Sequence, residues 1–238
     1  MTSFKAIRAR AAKRKGGAAA LAALLPAAPD NARVASVADD RVLAEMARRV
    51  FCAGFVWRVI EQKWPGFEDA FLGFRPKVLV ARPDEFWEAL AADRRIVRNG
   101  QKIISVRRNA AFVLDLAAEH GSAGKMLAAW PANDQAGLLD LLAKRGDRLG
   151  GASGQMLLRS LGWDAFMTSR DVVACLRDAG VDVAEQVTSK RDMAKVQAQF
   201  NAWAAETGLA YTVLSRICAL SIGENRPAEE LGHRGRED

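Results

Sequence analysis

The chain has 238 residues, of which half are hydrophobic, and it carries a net charge of +7 with a pI of about 9.7. No apolar stretch has the length needed to span a bilayer, so we expect a soluble protein without a membrane partner. The excess of Lys and Arg favours a polyanionic partner such as nucleic acid. Three widely spaced cysteines, Cys52, Cys175 and Cys218, contain no C-x-x-C pair and fit a reducing compartment.

The first fifteen residues are basic, with six Lys and Arg residues and no acid. They are interpreted either as an arm that lies on phosphates or as a solvated helix. A targeting peptide is a third interpretation, because an alanine-dominated stretch follows up to Pro26. We assign residues 1–31 to a basic N-terminal arm and linker.

From Asp40 onward the apolar residues keep the 3.6-residue period of buried helices. The Trp-Pro-Gly sequence at residues 64–66 is expected to end the second of these helices, with a short helix over residues 67–72 beyond it. Pro83 opens another helix, and the Asn-Gly pair at residues 99–100 opens a long one that reaches Glu119.

A glycine-rich corner dominates the second half of the chain. A leucine-rich helix beginning near Leu138 leads through basic residues to Gly150, Gly151 and Gly154, and a second helix then ends at Gly162. Such a corner exposes backbone N–H groups at a helix start, where they bind phosphate without any particular side chain.

Asp171 follows this corner by about seventeen residues and lies in the first turn of the next predicted helix. An acid at that position also suits the helix dipole, so the position alone does not assign catalysis. Two more helices are predicted over residues 190–206 and 209–222. No run with period two and β-branched enrichment is long enough for a sheet, so the predicted fold class is all-α.

The hairpin, the helix after it and Asp171 resemble the helix-hairpin-helix DNA glycosylase superfamily, in which an Asp follows the hairpin at a similar distance. A second resemblance is to the DNA-3-methyladenine glycosylase I family. It rests on Ala-Gly-Phe-Val-Trp at residues 53–57, on Ile-Val-Arg-Asn-Gly-Gln-Lys-Ile at residues 96–103 and on Asn-Ala at residues 109–110. Together these matches span residues 49–219.

The resemblance implies a two-lobed helical bundle over residues 32–223. The hairpin lobe is expected to comprise about residues 99–171, and the other lobe residues 32–98 together with 172–223. Residues 224–238 are expected to form a loose charged tail.

The same resemblance implies a monofunctional DNA glycosylase that flips out an alkylated purine of the 3-methyladenine type and hydrolyses its N-glycosidic bond in base excision repair. Asp171 would then be the catalytic carboxylate. A lyase would need a lysine at the hairpin, and none stands at residues 153–155. The alternative is a non-catalytic helix-hairpin-helix protein that senses or scaffolds at damaged DNA.

Trp57 and Phe55 match the positions at which the family places aromatic rings beside the flipped base, although aromatic residues on an apolar helix are also ordinary core. Arg49 stands where the family has an acidic pocket residue. An arginine repels a cationic base unless it is paired or points outward. Glu45 and Glu61 are each one turn away from this motif and could supply an acid, and the spacing selects neither.

The expected DNA contacts are the basic residues before the corner and the corner itself. These are Lys144, Arg145, Arg148, Gly150, Gly151, Ser153, Gly154 and Gln155. The polar stretch over residues 99–108 is interpreted equally as a phosphate contact or as a solvated helix face.

We expect no cofactor. With His120 and His233 as the only histidines, a zinc site is not expected, which is a departure from the zinc site that the family often carries. The four-cysteine iron–sulfur loop of some relatives also has no counterpart. The expected partner is double-stranded DNA with damaged bases, bound by a monomer in the cytoplasm, associated with the nucleoid.

Overall fold

The computed structural model of the protein describes residues 2–27 and 29–225. These residues form helices and contain no strand, which confirms the all-α fold class. Short 3-10 turns occur at Leu72–Phe74 and Ala132–Asp134. In chain order, the α-helices are α1 (Phe4–Arg14), α2 (Ala18–Ala23), α3 (Asn31–Ala35), α4 (Asp39–Cys52), α5 (Trp57–Ala70), α6 (Pro76–Val80), α7 (Asp84–Leu90), α8 (Gly100–His120), α9 (Ala123–Ala129), α10 (Gln135–Arg145), α11 (Ala152–Ser160), α12 (Arg170–Asp178), α13 (Lys190–Thr207) and α14 (Tyr211–Ser221).

The helices group into two compact units. The central unit comprises Asp30–Trp130 and Gly137–Trp163, and the terminal unit comprises residues 2–27, 29, 131–136 and 164–225 of the described chain. This grouping differs from the expected lobes, because residues 32–98 lie with the hairpin and residues 2–27 lie with the C-terminal helices. Local apolar periodicity predicts which face of a helix is buried, but it does not identify the helix that covers that face.

The basic N-terminal segment is a packed helix of the terminal unit. Its apolar face is completely buried at Phe4, Ile7 and Ala11, and α1 packs against α14. The ring of Phe4 lies 5.3 Å from that of Trp203. Burying this apolar face stabilises the helix far more than its own propensity does, since isolated helices of this length are marginal in water.

The start of the expected loose tail is tied to α1. The Asn225 side-chain N–H donates to the Arg14 carbonyl oxygen (3.1 Å), and Asn225 Oδ1 accepts from Lys15 Nζ (3.0 Å). The remaining residues of the expected tail, 226–238, lie outside the described residues.

The central unit is built on the pair α4 and α8, which pack against each other along their apolar faces. The helix α8 begins where Asn99 accepts the Lys102 N–H and ends at Gly121, whose φ of 84° is left-handed, so its predicted position is confirmed. Within residues 2–27 and 29–225, no helix has the length and apolar character required to cross a membrane.

The expected helix break at residues 64–66 is wrong, because α5 continues through Pro65 to Ala70. Proline in a helix interior removes one hydrogen bond and costs about 3 kcal/mol. Aromatic packing on both sides of the proline compensates for this loss. Trp64 stacks on Phe67 and on Phe74, each at 5.4 Å, and Phe67 is completely buried against Phe51.

Gly66 permits a close backbone approach inside α5. A Cβ on Gly66 would lie 2.6 Å from the Arg95 carbonyl oxygen, so Gly66→Ala is expected to lower the melting temperature, although alanine normally stabilises a helix by about 0.5–1 kcal/mol over glycine. Gly100→Ala is the control, because a Cβ there meets nothing within 4 Å. Equal or higher melting temperatures for both variants would contradict this account.

Candidate nucleic-acid interface

The glycine corner between α10 and α11 is a helix-hairpin-helix unit that depends on close backbone contacts. A Cβ on Gly154 would lie 2.5 Å from the Leu149 carbonyl oxygen, and one on Gly146 would lie 2.7 Å from the Leu142 carbonyl oxygen. Leu149 is completely buried beneath the corner. Larger residues at either glycine would therefore have to displace the backbone of the corner.

The start of α11 presents unpaired N–H groups. Gly151 is the N-cap residue, with φ 57° and ψ −132°, and it makes no side-chain cap because it has no side chain. The first N–H groups of a helix have no partner inside the helix, so those of Ala152 and Ser153 are available to an external acceptor. Gly150, Gly151 and Ala152 are exposed, and Ser153 is half-buried. The corner therefore has the donors that a phosphate requires.

Of the three predicted cations, two are engaged in ion pairs. Lys144 Nζ lies 2.7 Å from Asp140, and Arg145 forms a two-pronged pair with Glu119 at 2.7 and 3.0 Å. Arg148 instead hydrogen-bonds the side chain of Gln101 and remains exposed. Its guanidinium keeps its net charge, since Gln101 is neutral, so Arg148 is the strongest phosphate candidate of the three.

Gln155 was predicted as a DNA contact, and the structure places its side chain in the core instead. It is only 3% exposed, as expected for a residue on the inner face of α11. The prediction rested on its position next to the glycines, and proximity in sequence does not determine which helix face a residue occupies. Gly154 is likewise buried, so its role is to permit the close contact with Leu149.

Arg148 lines an open cleft of about 390 Å³ together with the first turn of α8. The other lining residues are Gly100, Gln101, Ile104, Arg108 and Asp147. Arg108 Nη1 lies 2.9 Å from Asp147 Oδ2. The cleft therefore contains two arginines, of which Arg108 is paired with an acid and Arg148 is bound to the neutral Gln101.

The predicted base-pocket aromatics form an exposed apolar surface on the central unit. Phe55 is 45% and Trp57 is 40% exposed, with the exposed Val56 between them. Large apolar side chains clustered at the surface in this way mark contact sites more often than core. These rings are therefore not core, and their place beside a flipped base stays a prediction.

Lys102 is a buried lysine beneath this surface, and sequence reasoning did not identify its contacts. It is 7% exposed, its Nζ donates to the Phe51 and Ala53 carbonyl oxygens (3.1 and 2.5 Å), and it lies 4.5 Å from the centre of the Phe55 ring. Burial, and secondarily the charge of Arg148, lowers the pKa of Lys102. Its position on the apolar side of α8 was the one sequence signal that could have predicted a buried lysine.

Arg49 is neutralised by Glu45 within α4. Arg49 Nε lies 2.6 Å from Glu45 Oε1, and Arg48 pairs with Glu61 at 2.9 Å. Both acids that the sequence offered as pocket residues are therefore committed to arginines. Since the charge of Arg49 is balanced, the repulsion expected from an isolated arginine is reduced.

A second cavity of about 230 Å³ lies next to this charge network. Its charged lining consists of Arg33, Arg41, Arg48, Glu45 and Glu68. Arg41 is held by Glu68 at 2.8 Å, and Arg48 covers the Trp64 ring at 4.1 Å. Among the described residues, no group of three or more His, Cys, Asp or Glu side chains is arranged to hold a metal ion.

Asp171 lies in the first turn of α12 in the terminal unit, as predicted, and is half-buried. Its carboxylate lies against the backbone after α14, since a Cβ on Gly223 would be 2.5 Å from Asp171 Oδ1. Gly223 has a left-handed φ of 75° and its carbonyl oxygen accepts from Arg14 at 2.6 Å. Only a glycine fits beside the carboxylate at this position.

A buried thiol pair fixes α12 to α14 one turn beyond Asp171. The Ser221 hydroxyl donates to Cys175 Sγ at 3.4 Å, and the Arg10 guanidinium lies 3.9 Å away. A hydrogen bond from the Cys218 thiol lowers the pKa of Cys175 to about 7, against the opposing effect of burial. The same pairing and its own burial raise the pKa of Cys218. These contacts hold the helix that carries Asp171 in a defined position.

Residues 30–137 match the family model described as methyladenine glycosylase. This match covers a little under half of the chain and confirms the resemblance to the DNA-3-methyladenine glycosylase I family. It includes Arg49, Phe55 and Trp57, and it ends before the hairpin corner and Asp171.

Solved structures of 3-methyladenine DNA glycosylase I are similar to this chain. One covers 57% of this chain and 81% of its own, with 18% identity and a TM-score of 0.47. Another, from Staphylococcus aureus, covers 52% and 77%, with 21% identity and a TM-score of 0.47. No curated protein matches the chain.

Gly151 and Gly150 provide a matched test of the corner. Gly151→Ala is expected to destabilise the protein by about 1–3 kcal/mol, because φ 57° with ψ −132° is accessible essentially to glycine alone. Gly150→Ala is expected to be tolerated, since its Cβ would lie 3.6 Å from the Ala143 Cβ, an ordinary contact. Urea unfolding of both variants measures the difference, and equal stabilities would contradict the assigned corner geometry.

Proposed function

We propose that the protein is a monofunctional DNA glycosylase that removes alkylated purines of the 3-methyladenine type from duplex DNA. The observation that carries this proposal is the hairpin corner, with unpaired N–H groups beside Arg148, in a chain whose preceding residues match the methyladenine glycosylase model. Backbone N–H groups and an arginine that bind phosphates make DNA binding independent of the base sequence, as a repair enzyme requires.

Asp171 is the proposed catalytic carboxylate. Breaking the N-glycosidic bond leaves the electron pair on the departing base and develops positive charge on the sugar. A fixed carboxylate stabilises that charge and orients a water molecule, whose oxygen bonds to C1′ as the carboxylate accepts its proton. The products are the free base and an abasic site in an uncut strand. Half-burial of Asp171 against Gly223 limits the positions that its carboxylate can adopt.

The absence of lyase chemistry is part of the proposal. An amine nucleophile would be needed at the hairpin helix, and residues 153–155 are Ser, Gly and Gln. The abasic product is therefore expected to remain unbroken after the base has left.

The exposed Phe55 and Trp57 rings favour a base with cationic character. An aromatic face attracts positive charge, and an alkylated purine is a good leaving group without further protonation. Pairing of Arg49 with Glu45 reduces the repulsion that an isolated arginine would exert on a cationic base. We propose double-stranded DNA with damaged bases as the partner and a monomer as the acting species.

Arg148→Ala and Arg145→Ala test the proposed DNA contact. We expect the plot of log affinity against log salt concentration to become less steep by about one unit for Arg148→Ala, because one phosphate contact is lost. Arg145 is held by Glu119, so its substitution is expected to change the slope less. Fluorescence anisotropy with duplex DNA measures both slopes. An unchanged slope for Arg148→Ala would exclude it as a phosphate ligand.

Asp171→Asn tests the chemistry. Release of free base from methylated duplex DNA, followed by chromatography, is expected to fall by about a hundred-fold or more, the scale for losing one charge-stabilising group. Duplex binding is expected to persist. Asp178→Asn is the control on the same helix, since Asp178 forms a surface pair with Arg10 that contributes at most about 1 kcal/mol.

Loss of 3-methyladenine release in Asp171→Asn alone would support the proposal. Duplex binding by the wild type without any base release would instead favour the non-catalytic DNA-binding alternative. Release that survives in Asp171→Asn would remove this residue from the mechanism while leaving the reaction in place.

A further inference from the structure

Asn109 is a buried polar side chain of α8 that makes two contacts with the hairpin corner. It is completely buried, its Oδ1 accepts the Asp147 N–H at 2.8 Å, and its Nδ2 donates to the Asp147 carbonyl oxygen at 3.1 Å. Both polar groups of one backbone residue are thus bound by a single side chain. A buried amide with a full set of partners fixes its neighbours in one arrangement.

The residue after this contact is strained. Arg148 has a φ of 63°, in the left-handed region that residues other than glycine rarely occupy. Such strain persists only where the surrounding structure imposes it. Helix α8 makes the contacts that hold this backbone conformation, because Asn109 binds Asp147 and Gln101 binds the Arg148 guanidinium.

We infer that Asn109 is a positioning residue that presents Arg148 and the N–H groups of the glycine corner to DNA. The inference rests on the proposed function, since it assigns a purpose to the corner that binds phosphate. Without Asn109, the backbone at Asp147 loses both partners and Arg148 relaxes to an ordinary φ. The Arg148 guanidinium and the N–H groups of the glycine corner then move away from the DNA phosphate that both are proposed to bind.

The test is duplex binding by Asn109→Ala, with Ser105→Ala as the matched control. Ser105 is also completely buried on α8, but its hydroxyl donates to the Lys102 carbonyl oxygen of its own helix at 2.6 Å. We expect the Kd of Asn109→Ala for an undamaged duplex to rise about ten-fold, which corresponds to the net loss of about one hydrogen bond. Ser105→Ala is expected to bind as the wild type does.

Two readouts separate positioning from a general loss of structure. A stoichiometric titration counts the active molecules, and misfolding would lower that count without raising the Kd of the remainder. Amide exchange without DNA should accelerate at Asp147, whose N–H loses its acceptor in Asn109→Ala, and remain slow along α8. If Asn109→Ala does not fold, Asn109→Ser replaces it, because the shorter hydroxyl fits the site and cannot reach both backbone groups.

The outcomes distinguish the two proposals. A wild type that does not bind duplex DNA overturns the proposed function and this inference together. Wild-type binding with an unchanged Kd for the Asn109 variant, or with a loss confined to stoichiometry, overturns the inference alone. A raised Kd at full stoichiometry, absent in Ser105→Ala, supports it.

Discussion

The rest of the central unit depends on helix α8, which carries two buried polar residues that hydrogen-bond the backbone of neighbouring segments. Apolar packing cannot make such directional contacts. It packs against α4, α6, α7 and α9. Lys102 and Asn109 lie two turns apart along the same side of this helix. Lys102 holds the carbonyl oxygens at the end of α4, and Asn109 holds the backbone of the hairpin corner. One rigid helix therefore sets the position of both loops that are proposed to meet DNA.

Sequence periodicity predicted the helices well, because the burial of one helix face leaves a local signal. Packing between distant segments leaves no local signal, so the sequence predicts a helix break at the proline of α5. The Phe74 ring that stacks on Trp64 comes from a separate segment. The hairpin corner was predictable from its glycines, since few other residues fit a backbone with φ 57° and ψ −132°. The burial of Gln155 and the pairing of Arg145 depend on tertiary neighbours and could not be read from spacing.

Charge at the predicted base site is arranged differently from the family pattern. Arg49, which stands where the resemblance implies an acid, is bound directly by Glu45, one turn earlier on the same helix face. Lys102 nevertheless places a cation against one face of the Phe55 ring. The electrostatic environment near Phe55 therefore includes a cation beneath the surface in addition to the charges at the surface.

The terminal unit joins the two ends of the described chain, and this has a consequence for synthesis. The Phe4 N–H pairs with Glu206 and Arg10 with Ser221, across 202 and 211 residues. Contacts so distant in sequence form late, since loop closure must precede them. On the ribosome, the apolar face of α1 therefore stays incompletely covered until α13 and α14 have emerged, whereas the whole of the central unit has been made by residue 163. A nascent chain stalled before α13 would expose Phe4 and Ile7 to chaperones and proteases.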